Sequence, residues 1–290
     1  MIDAQMYSYE NIEGKLLINI MTTQHGKRLK VELTDNQIHR GNLRIVIDNK
    51  KIQIHKGIQT KIKENNNTNI IGIDKGYKYL FAVSVGKFYC DKLNEYLNLE
   101  TERLNEVNKK RNRFYAIYHQ YLEQGNLNKA EAILENNLGK TKYHKNKFKH
   151  DQRIKSYINH SLNQLIEVEK PKEIVMENLN FVSWNDKYPN AVRRKLSRWI
   201  KGYIRRRLEY KCDLNSIKYT YVNPAYTSKV CSICGTFGKR NNDIFNCPKC
   251  VGIHADSNAS VNVLNRKGDK EISLYTPYMK VREILEKRVS

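Results

Sequence analysis

The chain reads as a mixed α/β protein with a small metal-bound ribbon towards its C-terminal end and a β-rich segment at its start. Three observations predict this. Short apolar runs that end in an acid alternate with long stretches of helical periodicity between residues 69 and 222. Two C-x2-C knuckles, Cys231-Ser-Ile-Cys234 and Cys247-Pro-Lys-Cys250, are separated by twelve residues. Four alternating or apolar runs fill the first 66 residues.

Those first runs are Lys15–Ile20, Leu29–Leu33, Leu43–Asp48 and Lys51–His55, divided by the turn-forming pairs Glu13-Gly14, His25-Gly26 and Asp48-Asn49. The polar stretch Glu64-Asn-Asn-Asn-Thr68 reads as a linker and a domain boundary. Asn69 to Ser84 then reads as a buried strand, a turn and a second strand, with Asp74 closing the first apolar run. Helical periodicity takes over from about Tyr96 to Leu122 and continues over Leu127–Leu138 and Ile154–Val168. Pro171–Leu179 is a short apolar strand that carries the acid Glu177. Ala191 to Lys211 is a basic helix, with Leu196, Trp199, Ile200, Tyr203 and Leu208 on one side. Lys218–Val222 is a further strand that leads into the knuckles, and Asp256 opens a last helix through about Leu264. Residues 266–290 form a charged tail, expected to be mobile apart from a short helix near Val281–Lys287.

Four thiolates on two short knuckles can reach the corners of a tetrahedron, which a closed structural Zn²⁺ site requires. Cys231, Cys234, Cys247 and Cys250 are therefore the expected zinc ligands. The competing reading is a disulfide pair in a secreted protein. The start of the chain has no basic segment followed by an apolar run, which argues against it. Cys90 and Cys212 lie apart from the knuckles and read as ordinary buried thiols.

Charge narrows the partner. The chain has 52 basic and 30 acidic side chains in 290 residues, a formal charge of +22. Such a surplus concentrates polyanions and favours nucleic acid, with an anionic membrane surface as the competitor. No apolar stretch is long enough to span a bilayer. The expected location is the cytoplasm.

Three acids occupy comparable places: Asp74 after one apolar strand, Glu177 after another, and Asp256 at a helix start beyond the ribbon. They converge if the two strands neighbour each other and the last helix packs on the sheet. Hard carboxylate oxygens gathered in this way suit Mg²⁺, and paired divalent ions serve phosphodiester hydrolysis. The bland alternative makes each acid a surface or capping residue, Asp256 being a plausible helix N-cap.

The ordered set Gly72-Ile-Asp74-Lys-Gly76, Ile174–Leu179, Asn223-Pro-Ala-Tyr-Thr-Ser228, the two knuckles and Asp256–Asn262 resembles the nuclease half of the TnpB family. These are the OrfB proteins of bacterial insertion sequences, related to the compact type V CRISPR effectors. The resemblance covers roughly residues 70 to 265. It implies an RNase H-like (RuvC) α/β nuclease domain with an inserted zinc ribbon, and Asp74, Glu177 and Asp256 as catalytic, Mg²⁺-binding residues. The implied domains are a β-rich, partial wedge-like region at 1–66, and a first nuclease part at 67–225 with a helical insertion at about 95–168. A zinc ribbon at 226–252, a last nuclease part at 253–265 and the tail at 266–290 follow. Family members carry a longer N-terminal region, so the expectation is a shortened form.

The implied activity is RNA-guided, Mg²⁺-dependent DNA cutting, with a structural Zn²⁺. The implied partners are a guide RNA from the element's end, target double-stranded DNA and a companion transposase at the same locus. Arg193, Arg194, Arg198, Arg205, Arg206 and Arg207 of the basic helix, with Tyr226, Thr227 and Ser228, are the expected nucleic-acid contacts. The alternative is a nuclease-inactive or decayed RNA-guided DNA-binding protein that acts as a repressor.

Overall fold

A computed structural model describes residues 1–35, 37–48, 51–57, 60–76, 78–179 and 198–289. It divides into two compact units, Met1–Lys61 and Ile62–Ser290.

The first unit is β-rich. Strands β1 (Tyr7–Ile12), β2 (Lys15–Met21) and β3 (Arg28–Glu32) form an antiparallel meander, and β4 (Leu43–Asp48) pairs with β5 (Lys51–Lys56). Glu13 and Gly14 join β1 to β2 with φ of 52° and 80°. Two positive φ values in a two-residue loop match the right-handed twist of the flanking strands. Ile18, Ile20 and Leu43 are buried together, with Tyr7, Tyr9 and Val31 packed around them. Strand β1 has no counterpart in the sequence reading, because Tyr-Ser-Tyr-Glu-Asn-Ile alternates only weakly in polarity.

The second unit is organised by a five-stranded sheet. Its strands are β6 (Asn69–Asp74), β7 (Phe81–Val83), β8 (Phe88–Tyr89), β9 (Pro171–Glu177) and β10 (Lys218–Val222), in the order β10-β9-β6-β7-β8. Strand β9 runs parallel to both β6 and β10, and β7 runs antiparallel to β6 and β8. Counted from β6, the spatial order is third, second, first, fourth, fifth, with the second reversed, which is the RNase H-like arrangement. Helices α1 (Leu93–Glu123), α2 (Leu127–Asn136) and α3 (Thr141–Glu169) lie between β8 and β9 in sequence. Helix α4 (Arg198–Leu214) precedes β10. Residues 191–197 of the expected basic helix lie outside the described residues.

The two faces of this sheet serve different ends. Side chains alternate along a strand. Ile71 and Ile73 of β6 and Ile174 and Met176 of β9 point into one core. Leu93 and Leu97 of α1, Ile158 and Leu162 of α3, and Ile204 and Leu208 of α4 cover them. Cys90 and Cys212 are buried there too, and burial pushes both thiols up to about 12. The intervening residues face helix α5 (Ala255–Arg266), where Val175 and Val222 meet Val263 and Leu264. Gly72 permits this contact. A Cβ there would lie 2.4 Å from the Ser260 carbonyl oxygen and 2.7 Å from the Leu264 backbone nitrogen. Only glycine lets strand and helix approach so closely.

Between β10 and α5 the chain forms a small three-stranded sheet of β11 (Lys239–Asn241), β12 (Ile244–Asn246) and β13 (Ile253–His254). The tail is packed, contrary to the expected mobility. Val281 and Leu285 of α6 (Tyr278–Lys287) are buried against Ala225, Tyr226 and Ile272. Arg288 grips Asp269 with two hydrogen bonds of 2.7 and 2.8 Å. No described helix is long and apolar enough to cross a membrane.

Candidate active site and metal centre

The convergence expected of the three acids follows from strand alternation and register. Asp74 and Glu177 are the last residues of β6 and β9. Those strands are adjacent and parallel, with Ile73 opposite Met176, so both acids sit at the same end of the sheet. Each acid shares its side of the strand with a residue that touches α5, namely Gly72 or Val175. Asp256 stands in the first turn of α5. It is not the N-cap: His254 holds that position, and the Asp256 carboxylate turns to Arg240, at 2.7 Å. The turn after β6 closes over it, since a Cβ on Gly76 would come within 3.7 Å of Asp256 Oδ2.

The electrostatics reflect this crowding. Burial, then the charges of Glu177 and Asp256, push the Asp74 carboxyl up to about 7, and Arg240 partly offsets them. Burial also raises Glu177, against the pull of a hydrogen bond donated by Thr227 Oγ1 and the charges of Lys75 and Arg266. Burial in turn lowers the Lys75 ammonium. A cation entering this cluster would relieve the repulsion that holds Asp74 partly protonated. The three carboxylates are gathered but not closed on one another. Among the described residues, the cysteine quartet is the one group of metal-binding type with all ligand atoms within 4.8 Å.

A cavity of ≈ 540 Å³ opens onto Asp74 and Glu177. Asn223, Thr227 and Ser228 line it on the β10 side, and Leu274, Tyr275, Thr276 and Tyr278 line it from the tail.

The quartet Cys231, Cys234, Cys247 and Cys250 is the second site. Its first knuckle is a tight turn, with the Gly235 N–H donating to the Cys231 carbonyl at 2.9 Å and Gly235 at φ 73°. Hydrogen bonding with Thr236, whose hydroxyl lies 3.4 Å from the sulfur, holds the Cys234 thiol down to about 6. The Lys249 N–H approaches Cys247 Sγ at 3.4 Å. Phe245, fully buried, packs beneath the sulfurs. Four convergent sulfurs on two short knuckles fit a tetrahedral zinc.

The expected nucleic-acid residues fare differently. Thr227 is buried and bonded to Glu177, and Tyr226 is buried with its ring stacked on Tyr278 at 4.2 Å. Both build the cavity wall from behind, while Ser228 is exposed on it. Arg205 Nε donates to Glu209 at 2.9 Å and its guanidinium lies over Tyr221. Arg207 donates to Asn159 and lies over Tyr210. Arg206 is exposed. Arg198 begins α4, with its side chain outside the described residues, as are Arg193 and Arg194 altogether. Arg240 went unnoticed in the sequence, because one more basic residue in a basic ribbon carries no signal.

Comparison with known proteins places these features. A family model described as Cas12f1-like, TNB domain, matches residues 202–263. A TnpB-like protein of Methanocaldococcus jannaschii is 33% identical over 99 residues. The stretches that align are shared with TnpB-like and Cas12f proteins. The aligned stretch is 34% of this chain and 45% of the M. jannaschii protein, so the chain spans under half of that relative's length. A CRISPR-associated endodeoxyribonuclease Cas12f2 of a Micrarchaeota archaeon is 40% identical over 83 residues, 25% of this chain and 14% of that one. A solved Cas12f1–sgRNA–target DNA complex aligns at 17% identity with a TM-score of 0.45, covering 90% of this chain and 62% of the other.

Proposed function

We propose that this chain is an RNA-guided, Mg²⁺-dependent DNA endonuclease, with Asp74, Glu177 and Asp256 as its catalytic residues. One observation carries the reading: Asp74 and Glu177 end adjacent parallel strands, Asp256 opens the helix packed on them, and the charges of the other two lift the Asp74 pKa. Isolated capping or surface acids would not be gathered at one end of the sheet. The three acids would hold divalent ions, which activate water and stabilise a leaving oxygen in phosphodiester hydrolysis. The other residues prepare the site. Thr227 fixes the Glu177 carboxylate, and Arg240 holds Asp256. The cavity admits a strand to Asp74 and Glu177.

A Zn²⁺ in the cysteine quartet is structural in this reading. It braces the ribbon that carries Arg240. Guide RNA and target DNA are the partners in the solved Cas12f1 complex, and the charge of +22 suits the same partners here.

The test is a cleavage assay on the protein purified together with its own RNA. Asp74→Ala, Glu177→Ala and Asp256→Ala should each reduce Mg²⁺-dependent DNA cutting to background and leave RNA binding nearly intact. An Asp256→Ala protein that cuts as fast as wild type would show the site to be misplaced. A wild-type protein that binds target and never cuts would establish the repressor reading.

A further inference from the structure

The family match ends at Val263, yet the tail beyond it forms one wall of the cavity that reaches Asp74 and Glu177. Tyr275 is the feature of that wall in need of an account. It lines the cavity and is 78% exposed. Single exposed aromatics are ordinary on protein surfaces. This one differs because its loop is held rigid. The Asn223 side-chain amide donates to the carbonyls of Ser273 at 3.0 Å, Leu274 at 3.4 Å and Thr276 at 2.9 Å. The Thr276 hydroxyl caps the Ser273 N–H at 2.9 Å. Tyr278, three residues on, is stacked on Tyr226, and its hydroxyl accepts from Lys229 at 3.2 Å. Beyond it, α6 is anchored by Val281 and Leu285.

A loop pinned on both sides of an outward ring has already given up its conformational freedom. That makes the ring a preorganised platform. Asn223 sits immediately after β10, the strand beside the one that ends in Glu177, so the platform is tied to the same sheet edge as the acids. Its surroundings favour an anion with flat faces: Lys229 is exposed nearby, Ser228 shares the cavity, and the whole chain carries +22.

We propose that Tyr275 is the stacking platform for a base of a single DNA strand, holding that strand in the cavity beside Asp74 and Glu177. Aromatic stacking tolerates every base, which suits an enzyme that takes its sequence information from elsewhere. This inference rests on the nuclease reading, and the experiment separates the two.

Full-length protein is mixed with single-stranded DNA oligonucleotides carrying 5-iododeoxyuridine at successive positions, irradiated, and digested for mass spectrometry. The expected adduct is on Tyr275. Tyr275→Ala should abolish it and weaken strand binding at high salt by about tenfold, whereas Tyr275→Phe should keep both the adduct and the affinity. Adducts found only elsewhere, or Tyr275→Ala binding equal to wild type, would overturn the proposal. An adduct formed with iodouridine RNA and not with DNA would overturn the assignment to a DNA strand. A Tyr275 adduct in a protein that never cuts would leave the platform standing and remove the nuclease reading. Cutting without the adduct would do the reverse.

Discussion

The four cysteines come from 20 consecutive residues, whereas Asp74, Glu177 and Asp256 are drawn from a span of 183. The cysteines are brought within 4.8 Å by two tight turns and a hairpin, the acids by the register of a sheet and one glycine under a helix. The two sites also stand in opposite relation to stability. Four thiolates closing on a metal contribute to folding. Three crowded carboxylates, Glu177 and Asp256 among them buried, oppose it until something neutralises them. A local site can be built by spacing alone and can strengthen its own segment. A distributed site must borrow its rigidity from the whole domain.

The sharpest way to break this contrast is at the ribbon. Cys234→Ser should lower zinc from about one ion per chain to none and open residues 231–250 to proteolysis, because a segment of that size has no core to fall back on. Elemental analysis and limited proteolysis check it. A ribbon that stays protected without zinc would mean that the metal is not what holds it folded, and a variant that keeps its zinc would mean that the quartet is not the metal site.

The matching change at the acids should run the other way. The Asp74 carboxyl titrates near 7 in the folded chain, well above its ordinary 3.8. The folded state therefore binds more protons than the unfolded state between those values, and metal-free stability falls as pH rises through that window. Asp74→Asn should raise the metal-free Tm at pH 8 and change it little at pH 4, while cutting is lost. Calorimetry at the two pH values decides it, and a lower Tm at pH 8 would contradict the buried-charge account.

A smaller effect separates the arginines of α4. Arg206→Ala should flatten the dependence of log Kd on log salt by about one for any nucleic acid. Arg205→Ala should change the slope less, because Arg205 is engaged by Glu209 and Tyr221. Equal slopes for both variants would mean that these intramolecular pairs open on binding.

The smallest effect is in the tail. Arg288 holds the Asp269 carboxyl down at about 2. Its contribution is present above the ordinary carboxylate range and is lost as pH falls through about 2. Arg288→Ala should return Asp269 towards 3.8, read from its carboxyl chemical shift.

What was legible in the sequence follows the same division. The quartet could be read from spacing, and β2 to β6 from alternation and turn pairs, because both signals are local. The acids could be placed after apolar runs, but their meeting depended on β6 and β9 being neighbours, which no local pattern states. Strand β8, only Phe88–Tyr89, is too short to show a period. Arg240 escaped notice, Asn223 was read only as part of a motif, and the helix near Val281–Lys287 was expected without its packing, because these roles depend on partners 16 to 60 residues away: Asp256, Thr276 and Tyr226. The arginines were read as one basic face, although two of them answer to acceptors and rings on their own chain.

The base of the ribbon has a further consequence. Asn258 of α5 accepts from the Ser232 N–H and donates to the Val230 carbonyl, each at 2.7 Å. Asn262 donates to the carbonyls of Thr227 and Val230, each at 2.8 Å. The helix that carries Asp256 thus clasps the segment entering the ribbon, while β13 at the exit runs straight into that same helix. Everything between is a loop whose mouth is already shut. Closing a longer loop adds only about 0.6 kcal/mol for each doubling, so lengthening or trimming the ribbon's tip costs little and leaves Asp256 where it is.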